Sequence, residues 1–267
     1  MRTPAIELGQ GEIHVWEIDP TAVQAREQLA RYAAWMTEDE AARQQRFIFE
    51  RHRHAFLVAR GLVRGTLTRY APSIAPGEWR FVVGEHGRPD IDPAHGLGDL
   101  RFNLSHTDGR AVIALARGEL GVDVEACNRR GDLRGIARHF FAEPEVLALA
   151  ELDGPELAAR FFDTWTLKEA YMKARGIGIS LGLGRFWFVL GGDGSIGVRF
   201  APDLLDEPAS WSFRRFDLGA EHPVALALRW PSESPLEVRL FAGAPGEPCA
   251  GSRLITGNRQ VVSTSSG

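Results

Sequence analysis

The chain has 267 residues, of which 44% are hydrophobic and 25% are charged, as in an ordinary globular protein. Its formal net charge of -4 provides no overall positive field for nucleic acid or an anionic membrane, so an anionic ligand would need a local cluster of cations. No stretch approaches the ~18 apolar residues of a membrane helix. The two cysteines, Cys127 and Cys249, lie in no zinc or disulfide pattern, which favours the reducing cytoplasm.

The first seventy residues predict one strand followed by helices. Residues 12–18 alternate between apolar and polar, as in a half-buried strand, and residues 20–36 have helical apolar spacing. Thr37 precedes a run of acidic residues, which is typical of a capped helix N-terminus. Residues 54–70 then predict a longer helix, because their apolar side chains recur at helical spacing.

The rest of the chain predicts short strands and two helical segments. Strand candidates joined by turns lie at residues 79–83, 101–106, 111–116 and 121–125. Helical patterns cover residues 132–151 and 155–175, and strands return at residues 185–190, 196–200, 211–216 and 223–230. Helices followed by meandering strands in each half indicate an α+β fold rather than a doubly wound parallel sheet.

The order of elements predicts a boundary near residues 116–121. It separates an N-terminal subdomain, residues 1–117, from a C-terminal subdomain, residues 118–230. Residues 231–267 lose periodicity and end in a polar tail, which predicts a partly disordered C-terminal extension.

Two carboxylates lie close together in the strand candidate GVDVE. Asp123 and Glu125 are two residues apart, so in a strand both side chains face the same way. Neighbouring carboxylates repel unless a cation lies between them, and oxygen ligands favour a hard ion such as Mg²⁺. Taken alone, the pair is better explained by an exposed strand face at a sheet edge.

The helix WTLKEAYMKARG carries a third carboxylate. Trp165, Glu169 and Lys173 recur every four residues and therefore share one face. Lys168 and Lys173 are the only lysines among 31 basic residues, and a compact ammonium suits a phosphate contact. A surface ion pair between Glu169 and Lys173 is the simpler alternative, but the large Trp165 on the same face suggests partial burial.

A histidine and several arginines are further candidates. Ser105 and His106 end the strand FNLSH and open a turn, where His106 can donate to a phosphate oxygen. Taken singly, each of the following arginines is equally explained as surface: Arg43, Arg46, Arg60, Arg64 and Arg88.

The order FNLSHT, GVDVE and WTLKEAYMKARGIGISL resembles the signature of the Sfp-type 4'-phosphopantetheinyl transferase family. A G-(K/R)-P turn upstream is present as Gly87, Arg88 and Pro89, and the resemblance spans roughly residues 40–190. It implies a pseudo-twofold pair of similar α+β subdomains, each a small, mainly antiparallel sheet packed with helices, with the active site in the cleft between them.

The resemblance also implies roles for individual residues. Asp123, Glu125 and Glu169 resemble the acidic set that holds Mg²⁺ against the coenzyme A pyrophosphate. Lys173 and His106 resemble the phosphate contacts. Four further residues have implied ligand-binding roles: Ser105 beside those contacts, Arg43 near the 3'-phosphate, and Arg88 with Pro89 in the turn at the adenosine end.

The activity implied is transfer of the 4'-phosphopantetheine group of coenzyme A to a serine of an apo acyl or peptidyl carrier protein, by a monomer. Lys173 and His106 would act on the phosphates, and Glu169 would take the serine proton directly or through a water on the metal. Two alternatives are a metal-dependent nucleotide or coenzyme A phosphohydrolase and a non-catalytic coenzyme A binding module. Neither explains the combined order of the three motifs.

Overall fold

The computed structural model describes residues 5–127, 131–177, 182–244, 251–257 and 260–262. The helices within these residues are α1 (Arg26–Trp35), α2 (Glu38–Gln45), α3 (Glu50–Tyr70), α4 (Leu133–Phe140), α5 (Glu143–Ala150) and α6 (Gly154–Arg175). The first strands are β1 (Glu12–Ile18), β2 (Phe81–Val83), β3 (Pro89–Ile91), β4 (Leu100–Thr107), β5 (Arg110–Arg117) and β6 (Leu120–Val124). The later strands are β7 (Phe186–Leu190), β8 (Ile196–Phe200), β9 (Trp211–Leu218), β10 (His222–Arg229), β11 (Glu237–Ala242), β12 (Ser252–Ile255) and β13 (Gln260–Val262).

The strands form small sheets in which most neighbours are antiparallel. One sheet has the order β12-β11-β1-β5-β4, and a second has the order β13-β9-β10-β6. Strand β1 pairs antiparallel with β5 but parallel with β11, and β13 runs parallel with β9. Two hairpins, β2-β3 and β7-β8, stand apart from these sheets. The α+β prediction is therefore confirmed.

The N-terminal helices pack on one face of the first sheet. Thr37 caps α2 reciprocally: its hydroxyl accepts from the Glu40 amide at 3.2 Å, and the Glu40 carboxylate accepts from the Thr37 amide at 3.1 Å. Helix α3 buries Val58 and Leu62 in a cluster with Trp16 of β1. The capped helix predicted after Thr37 is thus confirmed.

Residues 132–151 form two helices, not the single helix that their spacing predicts. Helix α4 ends at Phe140, residues Phe141 and Ala142 are extended, and α5 begins at Glu143 with Pro144 in its first turn. The proline ring has no amide hydrogen and clashes with a preceding helical turn, so it is tolerated only where a helix starts. Pro144 therefore explains the break.

Residues beyond Pro231 contribute strands to both sheets. Strand β11 lies between β12 and β1 in the first sheet, and β13 forms the edge of the second. The division at residue 118 and the disorder expected in this extension stay predictions. Two further sequence features lie outside the described residues, namely Cys249 and residues 178–181, which are the GISL end of the motif WTLKEAYMKARGIGISL.

Within the described part of the chain, no helix has the length and apolar character needed to cross a membrane.

Candidate active site

The two larger sheets meet where β4 lies beside β6, and polar side chains join them. Asn103 Oδ1 accepts a hydrogen bond from the Val122 amide at 2.9 Å, and Ser105 Oγ accepts from the Val124 amide at 3.3 Å. Residues two apart in β4 point the same way, so both side chains face β6. This seam places Ser105 beside Asp123.

Asp123 is nearly buried, with 4% of its surface exposed. Its Oδ1 accepts from Ser105 Oγ at 2.9 Å and from Lys173 Nζ at 2.7 Å. Its Oδ2 is also buried, and none of the described residues gives it a hydrogen bond. A buried carboxylate oxygen without a partner is costly, so the arrangement has room for a further positively charged or donating group on this atom.

Lys173 comes to Asp123 because α6 packs directly against β6. A side chain at Gly121 of β6 would place its Cβ 1.9 Å from the Ala170 carbonyl oxygen of α6, so only glycine permits this approach. The Lys173 ammonium also lies 2.9 Å from Ser105 Oγ and 3.2 Å from the Val122 carbonyl oxygen. The family resemblance implies that Lys173 contacts a phosphate. In the structure its ammonium is bonded to Asp123, one of the three carboxylates implied to hold the metal.

Glu169 lies one helical turn before Lys173, and both side chains line one cavity between α6 and the β2-β3 turn. The pKa of Glu169 is raised to about 7, first by burial and then by the negative charges of Asp123 and Glu125, while Lys173 opposes the rise. The raised pKa means that ionised Glu169 adds unfavourable negative charge here. A cation placed among these carboxylates would relieve it.

Glu125 directly follows β6 and contacts α6. Its Oε1 accepts a hydrogen bond from Trp165 Nε1 at 3.1 Å. Trp165 in turn stacks on Phe161, with 5.9 Å between ring centroids, so the helix face that carries Glu169 is partly buried. The expected burial of this face is confirmed.

The three carboxylates do not form a closed metal cage. Within the described residues, no three histidine, cysteine or acidic side chains are grouped so as to hold a metal ion. The unpartnered Asp123 Oδ2 and the raised pKa of Glu169 nevertheless fit a hard cation with oxygen ligands. These residues are therefore compatible with Mg²⁺, although one carboxylate oxygen of Asp123 is held by Lys173.

Positive charges surround His106, which is exposed. The pKa of His106 is lowered, first by desolvation and then by the charges of Lys173, Arg60 and Arg43. Arg43 and Arg60 lie over the same Phe56 ring, 5.8 and 5.3 Å from its centroid. These cations form the local cluster that an anionic ligand would need.

Arg60 is the member of this cluster that the sequence analysis left as surface. It is only 19% exposed, and its nearest carboxylate contact, Glu40, is 3.6 Å away. Arg64, four residues later, is buried and donates instead to Glu40 and to the Trp79 carbonyl oxygen. The signal in the sequence was an arginine pair at helical spacing inside the mostly apolar stretch of α3 at residues 55–67, which separates it from solvated arginines.

A cavity of about 240 Å³ lies between the β2-β3 turn and α6. It is lined by His86, Gly87, Arg88, Pro89, Asn103, Leu104, Glu169, Met172, Lys173 and Gly176. The cavity thus joins the turn implied at the adenosine end with the residues implied at the phosphates. Within it, Arg88 donates to the main-chain oxygens of Lys173 and Ala174 at 3.0 and 2.7 Å.

A second cavity, of about 160 Å³, lies on the far side of Glu125. Its lining is mostly apolar and consists of Glu125, Gly131, Leu133, Ile136, Phe161, Phe162 and Trp165. Glu125 is therefore flanked by a polar neighbourhood toward Asp123 and an apolar one toward α4.

Comparison with known proteins places these features in one family. Residues 119–227 match the model of the 4'-phosphopantetheinyl transferase superfamily. The chain is 35% identical over 180 residues to the 4'-phosphopantetheinyl transferase HetI of Nostoc sp., covering 67% of this chain and 75% of that protein. It is 28% identical over 207 residues to the 4'-phosphopantetheinyl transferase Sfp of Bacillus subtilis, covering 78% and 88%.

A third relative belongs to the same family. A phosphopantetheinyl transferase of Thraustochytrium sp. is 31% identical over 215 residues, covering 74% of this chain and 72% of that protein. The resemblance drawn from the sequence motifs is confirmed, and the chain belongs to the 4'-phosphopantetheinyl transferase superfamily.

Proposed function

We propose that this enzyme transfers the 4'-phosphopantetheine group of coenzyme A to a serine of apo acyl or peptidyl carrier proteins, with Mg²⁺ as its metal. The observation that carries the proposal is the meeting of Ser105, Asp123 and Lys173 at the seam of the two sheets. This meeting point borders the cavity that Glu169 lines. The reaction site is proposed to lie between the two similar halves of the chain.

Asp123, Glu125 and Glu169 would hold the metal. Asp123 offers a buried oxygen that lacks a partner among the described residues, and Glu169 has a pKa raised first by burial and then by the negative charges of Asp123 and Glu125. When bound, Mg²⁺ would offset negative charge on the pyrophosphate of coenzyme A. The carboxylates alone would repel that pyrophosphate, which is why the proposal includes a metal.

The basic side chains around the carboxylates hold and polarise the substrate. Lys173 and His106 donate to phosphate oxygens, with Ser105 beside them, and Arg43 binds near the 3'-phosphate. The proximity of Arg60 to Arg43, on one phenylalanine ring, supports adding Arg60 to this anion site. The turn with Arg88 and Pro89 lies at the adenosine end.

The transfer step exchanges one phosphorus-oxygen bond for another. The carrier serine oxygen bonds to the β-phosphorus of coenzyme A, and the bond between that phosphorus and the oxygen shared with the α-phosphate breaks. Adenosine 3',5'-bisphosphate leaves with the electron pair. The Glu169 carboxylate accepts the serine proton.

The apolar cavity beside Glu125 supports a place for the less polar part of coenzyme A. Phe161, Phe162 and Trp165 form an apolar surface of this cavity, next to the proposed metal residue Glu125. A site built from the residues of one chain would make a monomer sufficient. The expected cytoplasmic location stays a prediction.

Intact-protein mass spectrometry of apo carrier proteins tests the proposal. Each carrier is incubated with the enzyme and coenzyme A, with and without Mg²⁺. A Mg²⁺-dependent mass gain of one phosphopantetheine on a carrier supports the transferase. Hydrolysis of coenzyme A without carrier modification supports a phosphohydrolase, and binding without any reaction supports a coenzyme A binding module; either result contradicts the proposal.

A further inference from the structure

The β2-β3 turn and the last turn of α6 are joined by one side chain, Arg88. Its guanidinium donates to the carbonyl oxygen of Lys173 at 3.0 Å and to that of Ala174 at 2.7 Å. Arg88 comes from the N-terminal half of the chain, whereas α6 carries Glu169 and Lys173 in the C-terminal half. The contact therefore lies at the cavity that Glu169 and Lys173 line.

The end of α6 is built to receive this guanidinium. The last four carbonyl groups of a helix have no partner within it, and a cation is favourable at that end of the helix dipole. Gly176 ends the helix with a φ of +65°, and its amide donates to the Met172 and Lys173 carbonyl oxygens. A Cβ at Gly176 would lie at an ordinary contact distance of 3.5 Å from Arg88 Cδ, which shows that the arginine side chain lies directly against the helix end.

The turn that carries Arg88 is itself closed by main-chain bonds. The Gly84 amide donates to the Arg88 carbonyl oxygen at 2.9 Å, and the Gly87 amide donates to the Gly84 carbonyl oxygen at 2.9 Å. Arg88 is half-buried, and desolvation lowers its pKa. A closed turn and a half-buried side chain make this a stiff link rather than a loose surface contact.

We propose that Arg88 is a positioning residue: it holds the last turn of α6 and thereby fixes where the Lys173 ammonium lies relative to Asp123. This inference rests on the proposed transferase function and changes the role that the family resemblance implies for Arg88, which is a contact at the adenosine end. The change follows from the guanidinium bonds to the helix itself. The link also makes the placement of Lys173 depend on the turn that borders the adenosine end of the cavity.

The two roles predict different kinetics. A lost substrate contact raises KM for coenzyme A and leaves the rate at saturation unchanged, whereas a misplaced Lys173 lowers the rate at saturation. We expect Arg88→Met to lower the single-turnover transfer rate at saturating coenzyme A by about 10- to 100-fold, because small displacements of reacting groups are costly. KM for coenzyme A should change by less than about threefold, since uniform binding is retained.

A second readout does not require catalysis. Hydrogen-deuterium exchange of the peptide that covers residues 170–177 should be about tenfold faster in Arg88→Met than in the wild type, because the helix end loses two bonds. Arg88→Lys keeps a cation that reaches the carbonyl groups from one point, so it should restore part of the rate and part of the protection. Arg214→Met is the matched control, since Arg214 on β9 is also a half-buried arginine that donates to two main-chain oxygens, those of Phe213 and Leu236, and it does not line the cavity.

The outcomes separate the inference from the proposed function. An unchanged saturating rate in Arg88→Met, whatever happens to KM, would overturn the positioning role, as would unchanged exchange at residues 170–177. If Arg88→Met does not fold, Arg88→Lys against Arg214→Met decides by the same two readouts. If the wild-type enzyme modifies no carrier, the proposed function fails, and hydrogen exchange still decides whether Arg88 holds α6.

Discussion

Lys173 Nζ lies 2.7 Å from Asp123 Oδ1, so the cation of the proposed phosphate site and a carboxylate of the proposed metal site already form an ion pair. The other Asp123 oxygen is buried and has no hydrogen-bond partner in the part of the chain that the structure describes. The pair therefore orients the carboxylate: one oxygen is held by Lys173 and Ser105, and the second is left for a metal.

Lys173→Arg should impair transfer even though it preserves the charge. The ammonium lies within 3.2 Å of three oxygens, on Ser105, Asp123 and Val122, and a planar guanidinium is too large for that position. We expect kcat/KM to fall by about 10- to 100-fold, comparable with losing one preorganised donor.

Steady-state kinetics with a carrier identified by mass spectrometry measures this loss. Arg185→Lys is the control, because Arg185 pairs with the exposed Asp203 away from the site. If Lys173→Arg retained the wild-type kcat/KM, the need for a compact ammonium would be refuted.

Gly121→Ala should separate α6 from β6. The added methyl group would lie 1.9 Å from the Ala170 carbonyl oxygen and 2.5 Å from the Ala174 amide nitrogen, and both are backbone atoms that cannot rotate away. Overpacking of this kind costs about 1–3 kcal/mol of unfolding free energy. The transfer rate should fall as well, because Glu169 and Lys173 move with the helix.

Urea denaturation and single-turnover kinetics measure both effects. Gly197→Ala in β8 is the matched control, because its new Cβ would meet its nearest neighbour at an ordinary 3.7 Å. Equal stability and rate in the two variants would show that the close approach of α6 to β6 is not required.

Lys168→Met should destabilise the fold because it leaves the buried Glu145 carboxylate without its ammonium partner. Lys168 is fully buried and bonds to Glu145 at 2.7 Å and to the main-chain oxygens of Leu183 and Phe186. Burial raises the pKa of Glu145 and lowers that of Lys168, and each partner opposes the other's shift. Removing one partner of such a pair costs about 3–5 kcal/mol of unfolding free energy.

A double-mutant cycle with Glu145→Gln measures the coupling. The double variant should be more stable than Lys168→Met alone, because no buried charge is left unpaired. Arg185→Met, which breaks an exposed pair, should change the unfolding free energy by less than about 1 kcal/mol. Additive effects at residues 145 and 168 would contradict the account.

His14 should make the fold less stable as the pH falls from 7 to 5. Burial lowers the pKa of His14 to about 4, so the folded protein keeps it neutral while the unfolded chain takes up a proton near pH 6.5. Between these values the unfolded state binds more protons, so stability is full above about pH 6.5 and is lost toward pH 4. The loss at pH 5 should be about 1–2 kcal/mol.

Denaturation at pH 7.5 and pH 5 in wild type and His14→Gln isolates this effect. The glutamine variant should show a smaller drop, because its amide does not titrate in this range. His139→Gln, at an exposed position on α4, should keep the wild-type drop. The same drop in all three proteins would exclude His14 as the source.

Local patterns predicted most elements and part of the site. The strand at residues 12–18 has the bounds predicted from its alternation. Spacing also identified the shared face of Trp165, Glu169 and Lys173, because side chains four apart in a helix are neighbours whatever the rest of the fold does.

Features that depend on distant pairing could not be predicted. Strand β11 pairs in parallel with β1 across more than two hundred residues, and neither segment carries a signal for the other. The Ser105 to Asp123 bond needs β4 and β6 to lie side by side, which no periodicity specifies. The family resemblance implies that Arg88 lies at the adenosine end of the ligand. Its bonds to the Lys173 and Ala174 carbonyl groups join residues more than eighty positions apart, which no local pattern predicts.

The most direct test of the central claim compares Asp123→Asn with Asp193→Asn. Asp193 is an exposed aspartate in the β7-β8 turn, so its variant controls for the loss of one carboxylate. Mass spectrometry of one accepted carrier, with coenzyme A and Mg²⁺, should show wild-type modification by Asp193→Asn and at least about 100-fold slower modification by Asp123→Asn, because that variant loses a metal ligand. Wild-type modification by a folded Asp123→Asn enzyme would contradict the assignment of this carboxylate, and with it the site described above.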